Sequence, residues 1–186
     1  MPVDMDEIIR AREEADCLAD ATAVDAALAR MAAEITAQMA GSNPMVYTVM
    51  NGGLVIAGRI LPRLPFPLEV GYLHATRYGH ALKGGTQLDW RVRPTCDLRG
   101  RTVLVLDDIL DEGHTLHAIL QYLRAEGAKE VRAAVLVHKV HDRKAYPGMR
   151  ADFTGLDVAD RFLFGCGMDY KGYWRNAPGI YAVKGL

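Results

Sequence analysis

Cysteine is scarce in this 186-residue chain, and the three present, Cys17, Cys96 and Cys166, stand far apart with no C-x-x-C pair. That spacing argues against a disulfide framework and against a structural zinc site, and it leaves three reduced thiols. A charge excess of either sign is also lacking. Lysine and arginine number 22 against 23 aspartates and glutamates, a net charge of -1, so the composition carries no basic face for nucleic acid and no electrostatic attraction to a membrane surface. No apolar run reaches membrane-spanning length, and three acids, Asp4, Asp6 and Glu7, precede any apolar run at the N-terminus, which is wrong for a secretory signal. A cytoplasmic protein is expected. Internal repeats and low-complexity tracts are missing as well. What remains is 50% apolar and 24% charged residues, sufficient for one well-buried domain over 1–186 and short for two.

Hydrophobic periodicity supplies the elements. Val24, Leu28, Met31, Ile35 and Met39 recur at helical spacing, with Thr22 and Asp25 as an expected capping pair and Gly41 as the stop. Residues 45–50 form a short apolar, β-branched run, the pattern of a buried parallel strand, followed at once by Asn51-Gly52-Gly53. A helix is predicted over 54–61 and ends against Pro62, Pro65 and Pro67, and a strand over 68–73. From 74 to about 95 the core pattern thins around Gly79, Gly84 and Gly85, with a brief alternation at Leu88, Trp90 and Val92, and this stretch is expected to be a flexible lid. A strand over 102–106, an acidic turn, a helix carrying Leu116, Ile119, Leu120 and Leu123, and a strand over 131–137 make a β-α-β unit. Alternation of this kind implies an α/β domain with a mainly parallel central sheet flanked by helices. Its ligands sit beyond the carboxyl ends of the strands, so the loops after Met50, Leu106 and Val137 are expected to share one site.

The acidic turn carries the chemistry. Four apolar strand residues are followed by Asp107, Asp108, Ile109, Leu110, Asp111, Glu112, Gly113, His114 and Thr115. Gly113 allows a tight loop whose backbone N–H groups converge at a helix start, an anion site for a phosphate, and the Thr115 hydroxyl adds a donor. Asp107 and Asp108 can accept hydrogen bonds from vicinal hydroxyls, directly or through magnesium and its waters. The D-D-x-x-D spacing also occurs where terpenoid synthases hold magnesium and a diphosphate. There it lies on a helix of a long all-helical fold, and here it follows a strand and contains glycine, so that reading is rejected.

The stretch 103–116 resembles the phosphoribosyl-pyrophosphate signature of type I phosphoribosyltransferases, and the resemblance extends from about Val46 to the C-terminus. The segment 160–170, with Phe162, Leu163, Gly165, Asp169 and Tyr170, is similar to the hypoxanthine-guanine branch. The resemblance implies a type I phosphoribosyltransferase fold with a flexible lid and a small hood built from the N-terminal segment and about 150–186. It further implies transfer of ribose 5-phosphate from phosphoribosyl pyrophosphate to hypoxanthine or guanine, with Mg²⁺, in a homodimer or homotetramer. Residue by residue, Asp107, Asp108, Asp111, Glu112, Gly113, His114 and Thr115 would bind phosphoribosyl pyrophosphate. Asp111 would accept the purine N7 proton. Asn51, Gly52 and Arg175 would meet pyrophosphate, and Phe162 would stack on a base whose edge the Leu163 backbone binds. Asp169 lies at the base end, and Asp107, Asp108 and Asp169 would face magnesium.

Lys139, after the apolar run 131–137, corresponds to a lysine near the purine O6; an ammonium only donates, matching an oxo group and mismatching the amino group of adenine. Read without the resemblance it is equally a surface lysine. His138, His141 and Asp142 read as loop residues, since no second ligand cluster accompanies them. Three positions depart from the pattern: Asn51 stands for a Lys or Arg that is often joined to its neighbour by a cis peptide, Glu112 for Thr, and His114 for Lys. The lid pair reads Arg77-Tyr78, and Arg77 is a candidate to restore the cation missing at Asn51. A xanthine-preferring transferase and a non-catalytic RNA-binding regulator of the same fold are the rival readings, the latter disfavoured by the absent basic face.

Overall fold

The computed structural model describes residues 3–77 and 88–185. Along the chain run α1 (Met5–Glu13), β1 (Asp16–Ala19), α2 (Ala21–Met39), β2 (Met45–Val49), α3 (Gly53–Ile60), β3 (Glu69–Arg77), β4 (Leu88–Val92), β5 (Thr102–Leu110), α4 (His114–Ala125), β6 (Glu130–Val140), β7 (Phe153–Ala159), β8 (Leu163–Phe164) and β9 (Ile180–Ala182). Six strands form one sheet in the order β4-β3-β2-β5-β6-β7, parallel throughout except for β4. β1, β9 and β8 make a separate antiparallel sheet.

Strand alternation divides the core. Leu104 and Leu106 on β5 pack with Val24, Leu28, Met31 and Ile35 of α2 and with Ile56 and Ile60 of α3. Val103 and Val105, one residue out of phase, pack on the other face with Leu116, Ile119, Leu120 and Leu123 of α4. A sheet covered on both faces needs apolar residues at every position, which is why β2 reads as a continuous buried run rather than an alternation. The chain leaves β2 toward β3 and leaves β5 toward β6 in opposite directions across the sheet, so the carboxyl ends of β2 and β5 border the crevice where α/β proteins hold ligands.

Several expected boundaries move. α2 is capped by Asp20, whose carboxylate accepts the Ala23 N–H at 2.8 Å, not by a Thr22–Asp25 pair. The expected acidic turn is strand: β5 continues to Leu110 because Ile109 and Leu110 still pair with Val137 and His138 of β6. β6 likewise runs to Val140, so Lys139 lies on a strand. Part of the expected 74–95 lid is sheet, since His74 to Arg77 pair with residues of β4; Tyr78, the lid interior and the Arg77 side chain lie outside the described residues. β7 is the sixth strand of the main sheet, so the segment that folds apart from it begins after Ala159 rather than near 150. α1 closes over this segment: Trp174 Nε1 donates to the Ile8 carbonyl at 2.7 Å and the Tyr170 hydroxyl to Glu7 at 2.8 Å.

Candidate functional site

Where β2 and β5 end, a cleft of about 380 Å³ opens, lined by Met50, Asn51, Gly52, Asp107, Asp108, Ile109, Asp111, Lys139, Phe162, Leu163, Met168, Asp169 and Arg175. The lining is mainly the set expected from sequence. Residues from the turn after β2, from β5 and its end, from β6 and from the segment after β7 meet here because the parallel strands all present their carboxyl ends on one side.

One wall is the turn after β2. The Met50–Asn51 peptide is cis, and Gly52 approaches Asp108 so closely that any Cβ at 52 would overlap the carboxylate. Gly167 presses against the Gly52 carbonyl in the same way. These contacts pack the turn directly against Asp108. Asp108 is buried and Asp107 half-buried, and the Asp108 N–H donates to Asp107 at 2.9 Å. Burial, and then the neighbouring charge of Asp108, push the Asp107 carboxyl well above the ordinary carboxylate range. Burial raises Asp108 too, against the opposing pull of its hydrogen bond with Asp107 and of the Arg175 charge.

The second wall is a loop running into α4. Gly113 caps the helix at φ +82°, and the His117 N–H closes the first turn on the Gly113 carbonyl at 2.8 Å. The first N–H groups of the helix have no partner within it, which is the arrangement that an anion cradle would use. Glu112 Oε2 stands 3.8 Å from His114 Nε2, so the two departures from the signature sit opposite one another. This loop lies beside the cleft lining and not within it: Glu112, Gly113, His114 and Thr115 are absent from the lining residues above. Gly113→Ala should destabilise the fold by about 1–3 kcal/mol, because a Cβ at positive φ is strained and would meet Leu110 Cδ1 and Met149 Sδ at 2.6 Å. A denaturant midpoint equal to wild type would show that the loop relaxes freely.

The third wall carries Asp111 and Lys139. Lys139 is 8% exposed, which removes the surface-lysine reading. Its ammonium donates to Asp111 Oδ2 at 2.8 Å and lies 3.6 Å from Asp160. The other Asp111 oxygen faces His141 Nε2 at 2.7 Å. Burial raises the Asp111 carboxyl, but the hydrogen bonds from Lys139 and His141 more than offset it and hold it below its usual value. Asp111, His141 and Asp160 cluster closely enough to invite a metal reading, yet Lys139 already pairs with both carboxylates. Lys144 donates to the carbonyls of Leu110 (3.2 Å), Asp111 (2.6 Å) and Lys139 (2.5 Å), joining the ends of β5 and β6. Lys144→Met should strand these carbonyls and cost about 1–3 kcal/mol, read as a lower melting midpoint; an unshifted midpoint would mean that water replaces the ammonium without loss.

Phe162 lines the cleft 45% exposed, edge-on to Tyr170 with ring centroids 5.7 Å apart. Arg175 pairs with Asp169 at 2.5 Å and donates to the Gly167 carbonyl at 2.6 Å, and Asp169 accepts the Gly172 N–H at 2.7 Å. Among the described residues lining the cleft, Lys139 and Arg175 supply the positive charge. Sequence reasoning missed Met50, Ile109, Met168 and the whole role of His141, Asp160 and Lys144. His138 is not a loop residue but a buried member of β6, whereas His141 and Asp142 lie in the loop after that strand ends at Val140.

A family model for the phosphoribosyl transferase domain matches residues 14–171. The hypoxanthine-guanine phosphoribosyltransferase of Aquifex aeolicus is 30% identical over 155 residues, 83% of this chain and 86% of that protein. That of Bacillus subtilis is 29% identical over 154 residues, 83% and 84% of the two chains. Among solved structures, a hypoxanthine-guanine-xanthine phosphoribosyltransferase superposes with a TM-score of 0.81 at 27% identity, covering 91% of this chain and 96% of that one. A hypoxanthine phosphoribosyltransferase from Staphylococcus aureus reaches a TM-score of 0.87 at 20% identity, covering 97% of each, a likeness of fold.

Proposed function

We propose, starting from the fact that this chain belongs to the phosphoribosyltransferase family and within it to the hypoxanthine-guanine phosphoribosyltransferases, that it converts hypoxanthine or guanine and phosphoribosyl pyrophosphate to IMP or GMP and pyrophosphate. The observation that carries this reading is the convergence, on one cleft, of the Asp107–Asp108 acid pair, a base-sized apolar face at Phe162 and the Asp111–Lys139 pair.

In the reaction the purine N9 lone pair forms the bond to the anomeric carbon as the bond from that carbon to the pyrophosphate oxygen breaks. The N7 proton, made acidic as the base gains a glycosidic bond, passes to the Asp111 carboxylate. Lys139 donates to O6, Phe162 stacks on the ring, and the Leu163 backbone and Asp169 border its edge. The amides of 112–115 and the Thr115 hydroxyl hold the 5-phosphate, with His114 beside them, while Asp107 and Asp108 accept from the ribose hydroxyls. Arg175 and the amides at Asn51 and Gly52 receive the charge that develops on pyrophosphate. Asp107, Asp108 and Asp169 each offer carboxylate oxygens to the cleft, donors that suit Mg²⁺, and would hold it together with oxygens of the substrate; the raised Asp107 and Asp108 carboxyls mark a place where a cation relieves repulsion. Bound there with the substrate, Mg²⁺ would supply positive charge to the pyrophosphate. Arg77 and Tyr78 belong to the proposed lid, which would exclude water from the activated ribose.

The chain is further proposed to be cytoplasmic, in keeping with the absence, among the described residues, of a helix long and apolar enough to cross a membrane. We propose a homodimer or homotetramer, for which the exposed Leu54, Val70 and Tyr72 offer apolar contact area. The deciding experiment incubates hypoxanthine, guanine, xanthine and adenine separately with phosphoribosyl pyrophosphate and Mg²⁺ and reads product mass. IMP and GMP are expected; a product from xanthine alone would establish the rival specificity, and no product from any base would favour a regulator.

A further inference from the structure

His141 is joined to Asp111 by a geometry that selects its tautomer. Its Nδ1 accepts the Arg143 backbone N–H at 3.1 Å, so that nitrogen carries no proton, and the proton of the neutral ring sits on Nε2, directed at Asp111 Oδ1 2.7 Å away. The ring is 5% exposed and cannot swing into solvent, and Arg143 is anchored in turn by Asp160 at 2.7 Å.

The two oxygens of Asp111 are therefore held by different donors, Lys139 on Oδ2 and His141 on Oδ1. One donor leaves a carboxylate free to rotate about its last bond; two donors on separate oxygens fix its plane. Lys139 is a divided tether. Its three N–H bonds are shared among Asp111, Asp160 and, on the function proposed above, the purine O6, so its hold on Asp111 weakens when the base arrives. The His141 imidazole makes no such exchange. We infer that His141 is a positioning residue that keeps the Asp111 carboxylate in the plane needed to receive the purine N7 proton while Lys139 turns to the base. This rests on the reading of Asp111 as the proton acceptor.

The test compares His141→Ala, His141→Gln, Asp111→Asn and the double variant His141→Ala/Asp111→Asn with hypoxanthine. His141→Ala should lower kcat by about tenfold to a hundredfold, the scale of a misaimed reacting group, with KM for phosphoribosyl pyrophosphate unchanged because another loop holds that substrate. His141→Gln, whose side-chain amide N–H can replace Nε2–H, should recover most of the loss. In the Asp111→Asn background, His141→Ala should change kcat no further, since there is no carboxylate left to aim. An equal loss in that background, or no rescue by glutamine, would overturn the inference in favour of a structural role. Slow Asp111→Asn beside a normal His141→Ala would sink the inference alone, whereas wild-type turnover by Asp111→Asn would remove both it and the reading it rests on.

Discussion

Asp111→Asn is expected to reduce kcat by a hundredfold to ten-thousandfold while leaving a folded protein that still binds phosphoribosyl pyrophosphate, the range set by loss of a general base. Asparagine is nearly the same size as aspartate but cannot take a proton at neutral pH. It also meets a mismatch, because both Asp111 oxygens face donors, Lys139 at 2.8 Å and His141 at 2.7 Å. The amide can present its oxygen to one of them only, so its NH₂ group confronts either the ammonium or the imidazole N–H. The variant should therefore lose some stability as well as turnover. The sign of the pH dependence follows from the depressed Asp111 carboxyl. Its contribution to stability is present above the ordinary aspartate value of 3.8 and is lost as pH falls through the lower value of the folded state. Protonation of Asp111 accordingly should not limit wild-type kcat between neutrality and about pH 5. The checks are kcat and KM at saturating hypoxanthine and a thermal midpoint. A folded Asp111→Asn with undiminished kcat would take this residue out of the mechanism.

Lys139→Gln should erode base selection. A glutamine offers both a donor and an acceptor where the ammonium offers donors alone, so adenine, with an amino group at the same place, is no longer mismatched. Sites that read a defined polar group discriminate by about ten-thousandfold, and most of that margin against adenine is at stake. The buried setting adds a second effect. Removing the ammonium leaves Asp111 and Asp160 facing one another without the cation between them, which raises the Asp111 carboxyl and lowers kcat for hypoxanthine and guanine too. Because Asp111 reaches solvent, the stability cost should be about 1–2 kcal/mol, short of the loss for a fully buried pair. Affinity for phosphoribosyl pyrophosphate should change little. Values of kcat/KM for hypoxanthine, guanine, xanthine and adenine decide the matter, and four unchanged values would transfer base selection to the Phe162–Asp169 wall.

Much of this was legible in the chain because it is local. The apolar periods of 45–50, 102–106 and 131–137, the helix between the last two, and the run Asp107-Asp108-x-x-Asp111-x-Gly113-x-Thr115 are each written within a dozen residues, where strand pleat, helix pitch and turn geometry suffice to read them. The placement of the site beyond the strand ends follows from those elements. Elements stabilised mainly by distant partners escaped: β1 has three exposed residues of four and exists by pairing with β9, some 160 residues away, and α1 is docked through Trp174 and Tyr170. The same holds in the site. Sequence named Asp111 and Lys139 separately, but their contact, the carbonyls that Lys144 joins and the tether from His141 arise only when β5 and β6 lie side by side. Local pattern thus determined which chemical groups the protein carries and on which strand ends; tertiary structure decided which of them touch, because burial, repulsion and hydrogen bonding between groups dozens of residues apart depend on how the strands pack.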